Sequence, residues 1–145
     1  MAVNSYEMSF YAWFNSKKFR HFNPGEILIH TLTPPNSEPP PDLWENIVPT
    51  LRILDELRDY LGRPIVISSC YRNAEYNRRV GGTPNSQHIH FKAIDFSCSG
   101  SSPNAIRATL LGWRRQGKWT GGLGTYMRIT HIDTRPVNVS WRGNY

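Results

Sequence analysis

The stretch from residue 42 to residue 69 constrains the fold more than any other part of the sequence. It begins with apolar residues at helical spacing, and Gly62 ends the run, which predicts an amphipathic helix. The apolar positions are Leu43, Ile47, Leu51, Leu54, Leu57 and Leu61. Asp42 is the expected N-cap, and Pro49 predicts either a kink or a later start of the helix. The segment PIVISS, 64–69, is short, β-branched and flanked by turn formers, so it predicts a buried strand.

Helices and strands follow in mixed order along the rest of the chain. The segments NAEYNRRVGG (73–82) and SSPNAIRATLLGWRRQG (101–117) carry N-cap signals and end on glycine, so both predict helices. Residues 88–96 predict a strand or hairpin, and residues 121–135 predict strand material after a flexible entry. Strands this close along a chain favour antiparallel pairing. We therefore predict an α+β fold with a central antiparallel sheet flanked by helices.

The length of the chain predicts one domain. Its 145 residues, 39% of them hydrophobic, suffice for one core, so the expected domain is 1–145. Residues 1–41 are expected to form an N-terminal segment ending in a stiff proline-rich loop, TLTPPNSEPPPD (31–42). Residues 42–145 are expected to form the motif-bearing core. The aromatic-rich start SFYAWF (9–14) is expected to cover that core.

Composition limits where the chain acts and what it binds. No apolar run is long enough to span a bilayer, and the start lacks a signal peptide, so we expect synthesis in the cytoplasm and no membrane span. The formal net charge of +6 favours a polyanionic partner: nucleic acid, an anionic membrane surface or a cell-wall polymer. Cys70 and Cys98 are too few for a disulfide scaffold or a cysteine-only zinc site. Free thiols are favoured, and one disulfide is the alternative.

The stretch NSQHIHFKAIDF, residues 85–96, places titratable side chains in an apolar alternating run. If its strand neighbours the later strand that carries His131, the side chains of His88, Asp95 and His131 converge. Two imidazoles and one carboxylate leave a fourth position for water, which is the arrangement of a catalytic zinc site. Periodicity alone equally allows His88 and His90 as a pair of ligands on the same face of a strand.

Two separated motifs resemble the zinc D-alanyl-D-alanine carboxypeptidase family. The segment SSCYRNAEYNRRVGGTPNSQHIHFKAIDF (68–96) resembles the family pattern of SGYR, an asparagine, a glycine pair and then S-x-H-x-x-G-x-A-x-D. The segment GGLGTYMRITHIDTR (121–135) resembles the closing G-x-G-x-Y and H-x-D-x-R motifs. The resemblance covers roughly the last two thirds of the chain. It implies a fold of the Hedgehog/D,D-peptidase type.

Carried over position by position, the resemblance implies that His88, Asp95 and His131 hold one zinc ion. Arg72 matches the arginine of SGYR, which implies a place at the substrate site, where a guanidinium suits a peptide carboxylate or a polarised carbonyl. Ser86 matches the serine of the first motif. The resemblance implies that Ser86 donates a hydrogen bond to the substrate or to a metal ligand. An equally weighted alternative is that Ser86 only forms part of a turn.

The resemblance does not assign the general base by a direct match of residues. Many relatives carry a carboxylate three residues before the last histidine, a position that Arg128 fills in this chain. Asp133 belongs to the H-x-D-x-R signature, so we assign it as the base or as the group that orients His131. A salt bridge from Asp133 to Arg135 or Arg128 is the alternative. His90 falls on a variable position and is reduced to a neighbour of the site.

Two positions depart from the family pattern. Cys70 replaces the glycine of SGYR, and Phe91 replaces the glycine between the first two ligands. If that glycine is needed for a positive φ, Phe91 reshapes the turn. We also expect its ring to narrow the substrate cleft.

The function implied by the resemblance is a zinc metallopeptidase, monomeric by preference, that uses zinc-activated water on peptidoglycan stem peptides or cross-links. It would be a D,D-carboxypeptidase or endopeptidase acting at the bacterial cell wall, and a phage or prophage origin fits a small leaderless chain. The alternative is a catalytically impaired zinc-binding module that binds cell wall or forms part of a virion. A nuclease or nucleic-acid binder rests only on charge, Trp113 and Trp119, and the motif order argues against it.

Overall fold

The computed structural model of the protein describes residues 8–144 as five α-helices and a five-stranded sheet. The helices are α1 (Phe10–Ser16), α2 (Pro24–Leu28), α3 (Val48–Leu61), α4 (Ala74–Arg79) and α5 (Pro103–Arg115). The strands are β1 (Ile65–Ser69), β2 (Ala93–Cys98), β3 (Gly122–Thr125), β4 (Thr130–Asp133) and β5 (Val139–Arg142). The predicted α+β class is confirmed. Residues 1–7 and 145 of the expected domain lie outside the described residues.

The strand order places the motif-bearing strands side by side. The order is β1-β2-β4-β3-β5, and the β1–β2, β2–β4 and β4–β3 pairs are antiparallel, as predicted. The sequence did not indicate β5, which pairs parallel with β3 at the edge of the sheet. In the β2–β4 pair, Asp95 lies opposite His131 and Ile94 opposite Ile132. Because side chains alternate along a strand, the isoleucines share one face and the titratable pair shares the other.

The face with the isoleucines packs into the core. The most deeply buried apolar side chains come from helices, strands and the turn before β2, and include Phe14, Ile27, Ile47, Leu51, Leu54, Leu57, Phe91, Ile94, Phe96, Ile106, Leu110, Leu123 and Ile132. Phe10, Trp13 and Phe14 of the aromatic start are buried in this cluster, as expected. With one face of the sheet committed to the core, the functional groups of β2 and β4 are confined to the other face.

Pro49 delays the start of helix α3. Residues Pro41–Ile47 form a 3₁₀ helix in which Asp42 makes no capping hydrogen bond, so the predicted N-cap is wrong. The α-helix begins at Val48, and Pro49 stands in its first turn, where an N–H has no partner within the helix. Of the two effects predicted for Pro49, the later start of the helix is therefore confirmed, and the kink is not. Gly62 ends the helix with a φ of 68°, as predicted.

The other predicted helices and the first strand form, but two details of the prediction need correction: the burial of β1 and the possible disulfide. Helices α4 and α5 are capped by the side chains of Asn73 and Ser102, as their sequences indicate. Strand β1, predicted to be buried, is buried on one face only: Ile65 and Ile67 lie in the core, but the strand is at the edge of the sheet and Val66 is 59% exposed. Cys70 and Cys98 are both buried free thiols, so the alternative of a disulfide is wrong.

The segment from residue 88 begins as a turn and not as a strand. Residues 84–91 form turns closed by backbone hydrogen bonds, including Phe91 N–H to the carbonyl of His88, and β2 starts only at Ala93. His88 is buried and His90 is exposed. The two histidines therefore do not form a same-face ligand pair, because the strand periodicity that would align them is absent.

Burial of the Phe91 side chain stabilises the turn between His88 and β2. Its φ is 55°, the left-handed conformation that glycine adopts without strain. The ring is fully buried, with its centroid 6.2 Å from that of Phe10 and 5.9 Å from that of Tyr71. The ring points into the core and does not line the cleft beside His88 and Asp95, so the expected narrowing of the substrate cleft is wrong.

Replacing Phe91 with glycine is expected to destabilise the protein despite relieving backbone strain. A left-handed residue costs about 1–2 kcal/mol, whereas truncation of a buried Phe costs about 3–5 kcal/mol. We expect a net loss of about 2 kcal/mol in the free energy of unfolding, measured by urea denaturation. Lys18→Gly is the matched control, because Lys18 also has a positive φ, 60°, but is exposed. It should leave stability unchanged or raise it, and a stabilised Phe91→Gly variant would contradict this account.

A candidate metal centre

Three titratable side chains meet on the open face of the sheet. Asp95 comes from β2, His131 from β4 and His88 from the turn before β2. Asp95 Oδ1 lies 2.9 Å from His131 Nδ1, and Asp95 Oδ2 lies 3.2 Å from His88 Nε2. One donor atom from each residue lies within 4.8 Å of the other two, and all three residues are buried. This is the convergence that the sequence analysis required.

The outer nitrogen of each imidazole is held by an acceptor. His88 Nδ1 donates to the carbonyl oxygen of Cys70 at 2.6 Å, and His131 Nε2 donates to Asp133 Oδ2 at 2.7 Å. Since these acceptors fix the protons on the outer nitrogens, Nε2 of His88 and Nδ1 of His131 face Asp95 as potential ligands. The contact from Cys70 uses only its backbone, so the change from the family glycine leaves it intact.

Asp133 is enclosed behind His131. Its carboxylate is fully buried and accepts hydrogen bonds from the N–H of Gly122, at 3.0 Å, and from the backbone and guanidinium of Arg135. A Cβ on Gly122 would lie 2.5 Å from Asp133 Oδ2. Gly122, the first glycine of G-x-G-x-Y, therefore leaves the space that the buried Asp133 carboxylate occupies, and it is the sequence feature that could have indicated this burial. The anticipated ion pair with Arg135 is present as well.

The charges of the centre depend on one another. Burial alone would raise the pKa of Asp95, but the imidazoles of His88 and His131 outweigh it and hold the pKa below its ordinary value. Burial lowers the pKa of His88. Burial also acts to lower the pKa of His131, but hydrogen bonds to Asp133 and Asp95 reverse the effect and raise it. His131 therefore tends to hold a proton between two carboxylates, and a metal cation can take the place of that proton.

Arg72 lies beside the carboxylate of Asp95. Its Nη2 lies 3.7 Å from Asp95 Oδ2, and its Nη1 donates to Asn77 Oδ1 at 3.3 Å. Asn77 is buried and donates to the carbonyl of Thr83. A Cβ on Gly82 would lie 2.0 Å from Asn77 Oδ1. The asparagine and the glycine pair of the first motif thus fix the direction of Arg72, a role that sequence reasoning did not assign.

Ser86 and Arg128 occupy different places relative to the centre. Ser86 Oγ accepts a hydrogen bond from the N–H of His88 at 3.2 Å, so it shapes the turn, and it also lines the cleft. Arg128 is exposed on the β3–β4 connection and is not a cleft residue. The position where the family pattern suggested a carboxylate is therefore outside the lining of this cleft.

The centre opens into a cleft of about 270 Å³. The cleft is lined by Arg72, Gly81, Gly82, Thr83, Asn85, Ser86, Gln87, His88, Asp95, Tyr126, Ile129, His131, Arg135 and Trp141. A larger groove, about 500 Å³, lies between α3 and the end of α5 and shares only Arg135 with the cleft. Its size does not make it the site of chemistry, because the histidines and Asp95 lie in the smaller cleft.

The comparison with protein families agrees with this geometry. The profile described as Peptidase M15 matches residues 20–133, most of the chain. The chain belongs to the peptidase M15 family. Peptidases of this family are zinc-dependent, and two imidazoles with one carboxylate are a donor set that suits zinc. A comparison with curated proteins finds no match. Within residues 8–144, the helices are too short or too polar to cross a bilayer.

Proposed function

We propose that this M15 peptidase hydrolyses peptide bonds in peptidoglycan stem peptides or their cross-links, as a D,D-carboxypeptidase or endopeptidase. The observation that carries the proposal is the buried cluster of His88, Asp95 and His131 at the base of a cleft that also presents Arg72. Zinc would be held by His88 Nε2, an Asp95 oxygen and His131 Nδ1. When bound, it supplies Lewis acidity that lowers the pKa of water and polarises a carbonyl.

Arg72 is proposed to position the substrate. Asn77 holds one end of its guanidinium, and Asp95 lies near the other without a hydrogen bond at 3.7 Å. The planar fork can therefore bind a carbonyl oxygen or a terminal carboxylate in the cleft. Holding the peptide in this way places the scissile bond next to the metal ligands. Ser86, at the same rim, is proposed as an additional polar contact.

Asp133 is proposed to orient His131. It lies outside the cleft lining, and each of its oxygens already accepts hydrogen bonds. A carboxylate paired with a ligating imidazole fixes the tautomer and the direction of the ring. Of the two roles that the sequence analysis gave to Asp133, general base and ligand orientation, this geometry favours the second.

The charges around the cleft support an anionic substrate. Arg72 and Arg135 both line it, although Arg135 is paired with Asp133. Among the described residues of the lining, Asp95 is the only acidic one. The net charge of +6 adds attraction to anionic cell walls. The same lining favours the alternative of an impaired zinc-binding module, since it offers no second carboxylate to accept a proton from water. Direct assay of cleavage separates the two functions.

Metal removal is the primary test. We expect purified protein to bind one zinc ion and to release D-alanine or open cross-links when incubated with peptidoglycan, as detected by mass spectrometry of the digest. Chelation should abolish cleavage, and added zinc should restore it. One bound zinc ion without cleavage would support the impaired module, and loss of zinc binding altogether would contradict both.

A further inference from the structure

A row of four residues crosses the sheet at the level of the metal centre. Asp95 on β2 lies opposite His131 on β4, His131 lies opposite Gly124 on β3, and Gly124 lies opposite Trp141 on β5. Residues in register on neighbouring strands point to the same face of a sheet. Trp141 therefore belongs to the face that holds the centre, although it stands ten residues after His131 in an unforeseen strand.

Gly124 allows Trp141 to reach His131 across the strand between them. A Cβ on Gly124 would lie 2.5 Å from Trp141 Nε1 and 2.6 Å from Cε2, so the indole occupies the space that a side chain at position 124 would fill. The centroid of the Trp141 ring lies 5.1 Å from that of His131, with the planes at 48°. The second glycine of G-x-G-x-Y is thereby accounted for by close packing.

The indole is fixed by polar contacts as well. Its Nε1 donates to Tyr126 Oη at 2.8 Å, and the guanidinium of Arg135 lies 5.5 Å from the ring centroid. Arg107 holds the strand itself by donating to the carbonyl of Trp141 at 3.2 Å. Trp141 is thus tied to the motif tyrosine and to the arginine that also binds Asp133.

We propose that Trp141 is a positioning residue that keeps the His131 ring in the rotation needed for ligation, an inference that rests on the proposed function. Nε2 of the imidazole donates to Asp133 and Nδ1 lies 2.9 Å from Asp95 Oδ1, but both contacts are at the edge of the ring, and the torsion about the bond to its Cβ has a broad minimum. Trp141 and His88, whose ring centroid is 5.2 Å from that of His131, pack around the imidazole and limit rotation about that bond.

The test compares four variants with the wild type. Trp141→Ala removes the indole that packs against His131, and Gly124→Ala adds a methyl group that displaces it. Trp141→Leu keeps an apolar side chain without a flat ring, and Trp141→Phe keeps an aromatic ring without the N–H. Zinc dissociation constants come from competition with a chromophoric chelator. We expect about tenfold weaker zinc binding in the first three variants, and Trp141→Phe should rescue most of the loss. At saturating zinc, kcat should fall and KM should change little.

The control is Ser140→Ala, on the opposite face of β5, which loses a hydrogen bond with Arg114 without altering the row. It should lower the melting temperature and leave zinc affinity unchanged. Zinc affinity within twofold of wild type in Trp141→Leu or Gly124→Ala would overturn the inference, even if stability falls. Should Trp141→Ala not fold, these two variants decide the question. A wild type without zinc or cleavage would instead refute the proposed function itself.

Discussion

Asp95→Asn is expected to abolish stoichiometric zinc binding and to lower kcat/KM on a stem peptide by at least about 10³-fold. Loss of the Lewis acid removes several kcal/mol of transition-state stabilisation, which corresponds to about three powers of ten in rate. Asn keeps the shape of the side chain but removes the negative charge that lies within 3.2 Å of a nitrogen of both His88 and His131. Metal analysis and steady-state kinetics on a defined peptide measure the two effects.

Asp55→Asn supplies the matched control. Asp55 is also a buried carboxylate, but it accepts the backbone N–H groups of Arg20 and His21 and lies outside the metal cluster. Its replacement should lower the free energy of unfolding and leave one zinc ion bound. If Asp95→Asn retained one zinc ion at wild-type affinity, the proposed ligand set would be wrong. If it lost zinc but kept cleavage, the metal would not be part of the reaction.

The sequence predicted those parts of the fold that local patterns determine. The caps at Asn73 and Ser102 and the glycine stop at Gly62 correspond to helix ends in the structure. These signals act within one turn of a helix, so they can be read without knowing what surrounds them. Asp42 failed as a cap because the α-helix begins only at Val48, with Pro49 in its first turn, and a 3₁₀ segment precedes it.

The sequence also predicted the approach of His88 to Asp95 and His131. The strand alternation that suggested it is not, however, what produces it. His88 reaches the centre from a turn, and that turn depends on a left-handed Phe91 whose cost is offset by burial of its ring. Alternation along one strand cannot reveal this, because the compensation comes from Phe10 and Tyr71, which are distant in sequence.

Long-range packing explains the residues that sequence reasoning missed. Trp141 and Asn77 act through contacts with Gly124 and Gly82, and a glycine read from sequence does not say which side chain fills the space beside it. Strand β5 pairs parallel at a sheet edge after a short connection, and its segment, VSWR, is too short to give a periodic signal. The register that aligns Trp141 with His131 is visible only in three dimensions.

Replacement of Asp133 distinguishes ligand orientation from general-base catalysis. Asp133→Asn keeps the size of the side chain but weakens its hold on His131 Nε2, so we expect zinc affinity to fall about 10–100-fold. At saturating zinc, kcat should fall by less than about tenfold, because a group that acts through the ligand is partly compensated when the ligand is occupied. A general base would give the opposite result: unchanged zinc affinity and a loss of about 10²–10⁴ in kcat.

Asp133→Ala should have a further effect on stability. It leaves the Arg135 guanidinium and the N–H of Gly122 without their buried acceptor, and breaking such a pair costs about 3–5 kcal/mol. Urea denaturation of the zinc-free protein measures this loss apart from metal binding. Arg128→Ala, at an exposed position outside the cleft lining, should change neither stability nor zinc affinity. A stable Asp133→Ala variant with intact zinc affinity would show that the enclosure of this carboxylate serves neither the fold nor the centre.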